Sequence, residues 1–336
     1  MRLQDVGEFG LIHQLTGIIG GREGDASGVV LGVGDDAALF RPAPERLIVA
    51  TADMLVENVH FRRDWMSAAD LGWKALAVNL SDCAAMGALP RFALVCVALD
   101  KETAAEYVLD LYRGMQTLAA RFEVRIAGGD TVASPAGITL SVAAVGEVER
   151  EEARTRAGAR PGDVLMVTGT LGDSAAGCAA LLAGREWAAR VPEQVLQAHR
   201  RPWPRVREAR AAVCAGGVTA LIDVSDGLAG DLRHLCEESG AGAEVEVASL
   251  PVSDVCRRAA EVLGQDSLQL ALTGGEDYEL LLAVAPDAVA AVQHAVARET
   301  GTCVTPIGVV TESGFLMRYP DGGCSELPAG GFQHFP

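Results

Sequence analysis

The chain has 336 residues, 49% of them apolar, and a formal charge of 28 − 45 = −17. That length leaves room for two domains with a substantial core, the apolar content excludes a disordered chain, and the charge argues against nucleic acid or an anionic membrane as partner. Lys74 and Lys101 are the only lysines, so phosphate binding by this acidic chain would need cations between protein and ligand.

Residues 1–10 lack a basic stretch followed by an apolar one, and no apolar run has membrane-spanning length, which predicts a soluble cytoplasmic protein. Residues 47–52 (LIVATA) predict a short buried strand ending at Asp53. Residues 70–87 predict a helix with Asp70 as its N-cap. A strand over 91–99 follows, then an amphipathic helix over 103–121 with Leu109, Tyr112, Met115 and Leu118 near helical spacing. Residues 124–127 lead into Gly128-Gly129-Asp130, and 137–148 form a further strand. Residues 149–162 (EREEARTRAGARPG) are charged and then punctuated by Gly and Pro, as a domain linker is. The expected division is therefore 1–150 and 151–336. In the second part, strands are expected at 163–168, 218–222, 244–247, 268–272 and 278–284, and helices after Gly172, over 228–239 and over 285–300. Both parts read as α/β. The eight cysteines are scattered among apolar residues without a C-x-x-C pair, so they read as small buried hydrophobes in a reducing compartment.

The chemistry-bearing feature is a series of carboxylates at strand ends beside glycines: Asp35 and Asp36 in GVGDDAA, Asp53 in ATADM, Asp130 in AGGDT, Asp223 and Asp226 in IDVSDG, and Glu276 and Asp277 in TGGEDYE. Each loop alone reads as a turn. Converging, they would make a multi-metal phosphate site, because carboxylate oxygens are hard ligands suited to Mg²⁺. Asp82 differs in lying inside an apolar helix, where a buried carboxylate needs a partner. Gly32-x-Gly34-x-x-Ala37 fits a dinucleotide fingerprint, but two adjacent carboxylates would repel a pyrophosphate. No Walker A lysine, H-E-x-x-H or Cys/His zinc spacing is present. Residues 172–176 (GDSAA) fall one glycine short of a nucleophile elbow. His60 and Arg156 read by themselves as structural or surface residues.

Taken in order, GEFGLI (7–12), GVGDDAA (32–38), ADMLVENVHF (52–61), KALAVNLSDCAAMGA (74–88), GGDT (128–131), RPGDVLMVTGTLGDSAAG (160–177), IDVSDGL (222–228) and TGGEDYEL (273–280) resemble the thiamine-monophosphate kinase family. That family belongs to the superfamily of aminoimidazole-ribonucleotide synthetase. The resemblance implies an N-terminal α/β domain that forms a β-barrel with its twin in a homodimer, and a C-terminal α/β domain completing the active-site cleft. It implies ATP and Mg²⁺ as co-substrate and cofactor, and thiamine monophosphate as acceptor. It assigns Asp36, Thr51, Ala52, Asp53, Asp82, Asp130, Asp223 and Asp226 to metal binding, with Asp36, Asp53, Asp82 and Asp130 central to catalysis. Gly129, Asp130, Arg156 and Ser225 become nucleotide contacts, and His60, Glu276 and Phe332 substrate contacts. Two departures stand out: Ala52 replaces a common Thr, and Phe332 replaces a larger aromatic.

A phosphate monoester acceptor has a second pKa of about 6 and is mostly a dianion at neutral pH, so no general base is required. The obstacle is repulsion between phosphates, roughly 4 kcal/mol per unit pair at 4 Å in a site of lowered dielectric. Cations held by the aspartates would remove it, and direct in-line transfer is expected. One competing assignment is a selenophosphate synthetase-like relative, disfavoured because no Cys precedes Cys83. The other is a non-catalytic acidic metal-binding protein, disfavoured because no EF-hand spacing occurs.

Overall fold

The computed structural model describes residues 8–20, 28–33 and 37–331. Asp35, Asp36 and Phe332 lie outside the described residues. The chain divides into two compact units, residues 1–83 with 88–150, and residues 84–87 with 151–336. Both have mixed α/β content.

In the first unit, β1 (Val29–Leu31) and β2 (Leu39–Phe40) form a small antiparallel pair. The main sheet comprises β3 (Arg46–Val56), β4 (Leu89–Leu99), β5 (Arg125–Ala133) and β6 (Thr139–Glu149), in the order β3-β6-β4-β5. β3 and β6 pair antiparallel along all eleven residues of each. β4 and β5 are parallel and are joined by the helix Ala105–Arg121, the long crossover that a parallel pair requires. Alternation along β3 separates two faces. Ile48, Ala50, Ala52 and Met54 are exposed, while Thr51, Asp53 and Leu55 turn toward the helix Ala68–Ala85.

That helix begins two residues before the expected N-cap. Ser67 caps it instead: its Oγ accepts from the Asp70 N–H at 3.1 Å, and the Asp70 carboxylate accepts from the Ser67 N–H at 3.3 Å and its hydroxyl at 2.8 Å. Asp70 is thus the reciprocal member of a capping box rather than the cap. Gly72 and Gly114 set the approach of this helix to its neighbour. A Cβ on Gly72 would lie 1.8 Å from the Leu111 carbonyl oxygen, and one on Gly114 would lie 1.9 Å from that of Ala69. Only glycine lets two helix backbones come this close.

The second unit is built on one seven-stranded sheet. Its strands are β7 (Val164–Thr168), β8 (Val218–Val224), β9 (Gly242–Glu246), β10 (Glu279–Val284), β11 (Val304–Thr311), β12 (Phe315–Arg318) and β13 (Cys324–Glu326), in the order β13-β12-β9-β11-β7-β10-β8. All pairings are antiparallel except β9 with β12. Leu165, Val167, Ile222, Val224, Leu281 and Ile307 pack on one face with Leu232 and Leu235 of the helix Leu228–Ser239.

The expected strand at 268–272 is instead the helix Ser267–Thr273. The segment LQLAL alternates in polarity like a strand, but Asp266 precedes it, and that carboxylate caps the Leu268 N–H at 2.9 Å. Alternation over five residues does not outweigh a cap. The charged segment after β6 has no regular structure, and Arg154 anchors it on the Val218 carbonyl at 2.8 Å.

Candidate active site

In the first unit, one strand and one helix bring Thr51, Asp53 and Asp82 together. The Thr51 hydroxyl donates to Asp82 Oδ2 at 2.5 Å. The Asp53 N–H donates to the side-chain oxygen of Asn79, which lies three residues before Asp82 on the same helix face. Asn79 is itself anchored by donating from Nδ2 to the Ala75 carbonyl at 3.1 Å. Burial, and next the charge of Asp82, push the Asp53 carboxyl up to about 6. The same two causes push the Cys83 thiol to about 12, leaving it a buried neutral group. Two carboxylates close enough for one to raise the other, with a hydroxyl between the elements that carry them, form a hard oxygen donor set. Ala52 points to the exposed face, away from this group.

Asp130 is exposed, and its carboxylate accepts from the Thr131 N–H at 2.8 Å. The sheet register places it in the row of Cys96, Ser141 and Met54, whereas Asp53 shares its row with Val142, Val95 and Gly129. Gly129 has φ +151°, and a Cβ there would meet the Val95 carbonyl oxygen at 1.8 Å. The strand's alternation is therefore interrupted immediately before Asp130.

His60 sits in the tight turn after β3. Its Nδ1 accepts from the Val56 N–H at 2.9 Å, and its own N–H donates to the Val56 carbonyl at 2.9 Å. With Nδ1 an acceptor, the ring's proton resides on Nε2.

In the second unit, the end of β8 carries Asp223, Ser225 and Asp226. Asp223 is buried at 2% exposure, and Ser225 and Asp226 are half-buried. Their loop closes on Asp231, a residue the motif reading missed. Asp231 Oδ2 accepts from the N–H groups of Ser225, Asp226 and Gly227 at 3.0, 3.0 and 3.2 Å. Burial, then the charges of Asp223 and Asp226, push the Asp231 carboxyl up to about 8. A sequence signal exists in retrospect: Asp231 lies in the first turn of the helix that follows the loop, where a carboxylate can gather loop N–H groups.

The 274–278 loop lies against the 224–227 loop. The Glu276 N–H donates to the Ser225 carbonyl at 2.7 Å, and that of Tyr278 donates to the Val224 carbonyl at 2.8 Å. Glu276 and Tyr278 both take left-handed backbone, φ +67° and +52°, a conformation that persists in non-glycine residues only when surroundings enforce it. Asp277 accepts from the N–H groups of Gly172 (2.7 Å) and Ser174 (3.3 Å), at the start of the helix Asp173–Ala183. Desolvation nonetheless keeps its carboxyl well above the usual range. His199 Nδ1 lies 3.0 Å from Glu276 Oε2.

Glu279 is tied into the core. Arg205 donates to both its oxygens at 2.6 and 2.7 Å, and Thr168 donates to Oε2 at 2.6 Å. Burial still holds the carboxyl above its ordinary value. Arg156 is exposed, and its carbonyl accepts from the Ser239 hydroxyl at 3.0 Å.

Among the described residues, no group of three or more His, Cys, Asp or Glu side chains converges closely enough to hold a metal ion. The structure brings Asp53 to Asp82 and gathers Asp223, Asp226 and Asp231. It shows Asp130 exposed on its own strand. None of the described helices is long and apolar enough to cross a membrane.

Known proteins resemble the chain along its whole length. Residues 34–148 match the AIR synthase related protein N-terminal domain, and residues 160–317 match the C-terminal domain. The thiamine-monophosphate kinase of Rhodopirellula baltica is 37% identical over 322 residues, 94% of either chain. That of Escherichia coli K12 is 37% identical over 331 residues, 98% of either. Among solved structures, the thiamine-monophosphate kinase of Stenotrophomonas maltophilia K279a superposes with a TM-score of 0.81 at 36% identity, covering 96% of this chain and 98% of that one. The protein AaThiL, solved in complex with AMPPCP and TMP, gives 0.77 at 32% identity and covers 100% and 99%. The hydrogenase maturation protein HypE of E. coli shares the fold, with a TM-score of 0.80, at 20% identity. The chain belongs to the thiamine-monophosphate kinase family, built from the two AIR synthase related domains.

Proposed function

We propose that this chain transfers the γ-phosphate of ATP to thiamine monophosphate, giving thiamine diphosphate by direct in-line displacement with Mg²⁺. The observation that carries the reading is the Asp53–Asp82 pair: two carboxylates held close with a hydroxyl, one of them raised by burial and then by the other's charge. That pair belongs to a chain whose relative AaThiL is solved with AMPPCP and TMP.

The donor set fits a small divalent cation. Thr51, Asp53 and Asp82 offer only hard oxygens, and a bound cation would offset both the burial and the repulsion that raise Asp53. Asp36, Asp130, Asp223, Asp226 and the main chain at Ala52 are the further proposed ligands. Bound Mg²⁺ would neutralise phosphate charge, so that two anions can approach.

The protein's own groups do the rest by positioning. His60, with its proton on Nε2, presents a neutral donor toward an acceptor oxygen of the substrate. Glu276 offers a carboxylate acceptor toward the amino group on the pyrimidine ring of the thiamine compound, with Phe332 as the aromatic partner. Gly129, Asp130, Arg156 and Ser225 hold the nucleotide. For Gly129 the reason is physical: lacking a Cβ, it lets backbone approach a ligand. No side chain needs to take a proton from the acceptor, which is already an oxyanion.

The exposed apolar face of β3, with Ile48 at 53% and Met54 at 54% exposure, and Val132 of β5 at 50%, supports a homodimer joined through this sheet. Analytical ultracentrifugation should show a dimer, and Met54→Glu should give a monomer. The functional reading is tested by incubating purified protein with ATP, Mg²⁺ and thiamine monophosphate, with free thiamine as control. ADP and thiamine diphosphate should form in equal amounts, only with the monophosphate, and EDTA should stop the reaction. Rapid quench with γ-labelled ATP should show no phosphoprotein.

A further inference from the structure

We infer that His199 is a positioning residue for the acceptor substrate, acting through Glu276. The inference rests on the role proposed above for Glu276 and goes beyond it.

Three observations carry it. First, His199 is buried at 1% exposure, on the helix Glu193–Arg200, with Nδ1 3.0 Å from Glu276 Oε2 and 3.4 Å from the Ser174 hydroxyl. A carboxylate only accepts, so Nδ1 must carry the proton for this bond to form. Second, the base of the imidazole is rigid. Val195 and Leu196 are buried on the same helix, which packs on Asp173–Ala183 closely enough that a Cβ on Gly177 would lie 2.1 Å from the Val195 carbonyl oxygen and 3.2 Å from His199 Cβ. Third, Glu276 is constrained in its main chain, by left-handed φ and the N–H bond to Ser225, while its side chain remains 25% exposed. A carboxylate on a fixed backbone but facing solvent has rotamer freedom to lose, and a buried imidazole bond is what removes it. His199 thus holds the Glu276 carboxylate in one orientation before substrate arrives, so that less ordering remains to be done on binding.

The test is steady-state kinetics of three variants in the full-length enzyme, with an NMR measurement on the protein alone. His199→Ala should raise the KM for thiamine monophosphate about tenfold, leaving the KM for ATP within about twofold and kcat within about threefold. His199→Asn, whose amide can donate from nearly the position of Nδ1, should recover most of the loss. In the pair with Glu276→Gln, the effects should be clearly less than additive. In ¹⁵N-histidine-labelled protein, the His199 Nδ1 resonance should shift on Glu276→Gln. Equal effects of His199→Ala on both KM values, no effect on either, strict additivity, or an unmoved resonance would each overturn the inference. If His199→Ala does not fold, His199→Leu against His199→Asn supplies the kinetic comparison and the resonance decides independently. Wild-type protein inactive on thiamine monophosphate would sink the functional reading instead, and the resonance would still show whether the bond exists.

Discussion

Two groups of carboxylates, one in each unit, differ in what they bind. In the first, Asp53 and Asp82 stand on a strand and a helix, where the Thr51 hydroxyl donates to Asp82 and burial, then the charge of Asp82, raises Asp53. In the second, Asp231 gathers three loop N–H groups, Asp277 two helix-start N–H groups, and Glu279 a forked arginine. Regular elements hold the first pair in place. The second set spends its acceptor capacity on irregular backbone and a buried cation, and so holds loops in shape. An acidic residue beside glycine therefore says little until its acceptors are counted.

The sharpest way to break this contrast is Asp82→Asn. The amide oxygen can still accept from Thr51, while the charge is gone. Turnover should fall roughly a hundredfold or more, and the unfolding temperature of metal-free protein should not fall, because Asp53 loses its repelling neighbour. Retained turnover would remove Asp82 from the proposed ligand set. The opposite outcome is expected of Arg205→Ala, which strands a buried carboxylate: a loss of about 3–5 kcal/mol in denaturant unfolding. A small loss there would mean that Glu279 is not the structural residue its partners indicate.

Metal-free stability against pH sharpens the comparison further. In the unfolded chain both carboxyls titrate near the ordinary value of 3.8, but in the fold Asp53 titrates near 6 and Asp231 near 8. Between those limits the native state binds more protons than the unfolded one, so stability is greatest below about pH 4 for these two groups and falls as pH rises through 6 and then 8. Asp53→Asn should halve the slope between about pH 4 and 6 and leave the slope between 6 and 8, whereas Asp231→Asn should halve the first and abolish the second. Saturating Mg²⁺ should flatten the Asp53 part. Ser67→Ala is the smallest change expected, about 1 kcal/mol from the lost cap, with turnover unaffected.

Much of this was legible in the sequence because it was carried by pattern. The helix over 228–239 and the strands ending in Asp53 and Asp223 follow from periodicity and glycine punctuation, although β3 and β8 continue beyond the expected ends. The motif series pointed to the family before any coordinate. What was not legible depended on partners distant in sequence. The LQLAL segment looks extended until Asp266 is seen capping it. Asp231 and His199 have no motif, and each is defined by what it reaches: a loop four to six residues back and a carboxylate 77 residues on. Asp277 and Glu279 sit inside the same signature as Glu276, yet one closes a helix and the other pairs with Arg205. Spacing along a chain cannot divide one octapeptide into three jobs.

The reciprocal notch at Gly72 and Gly114 bears on how this enzyme can move. Two helices in backbone contact cannot slide past one another by even a fraction of a turn without first separating, so Ala68–Ala85 and Ala105–Arg121 travel as one plate. Asn79 and Asp82 are fixed to that plate, and through them so is the middle of β3, which bears Thr51 and Asp53. Any displacement that accompanies turnover must then arise at its margins, in the connecting turns, while the acidic pair is carried along with its spacing preserved.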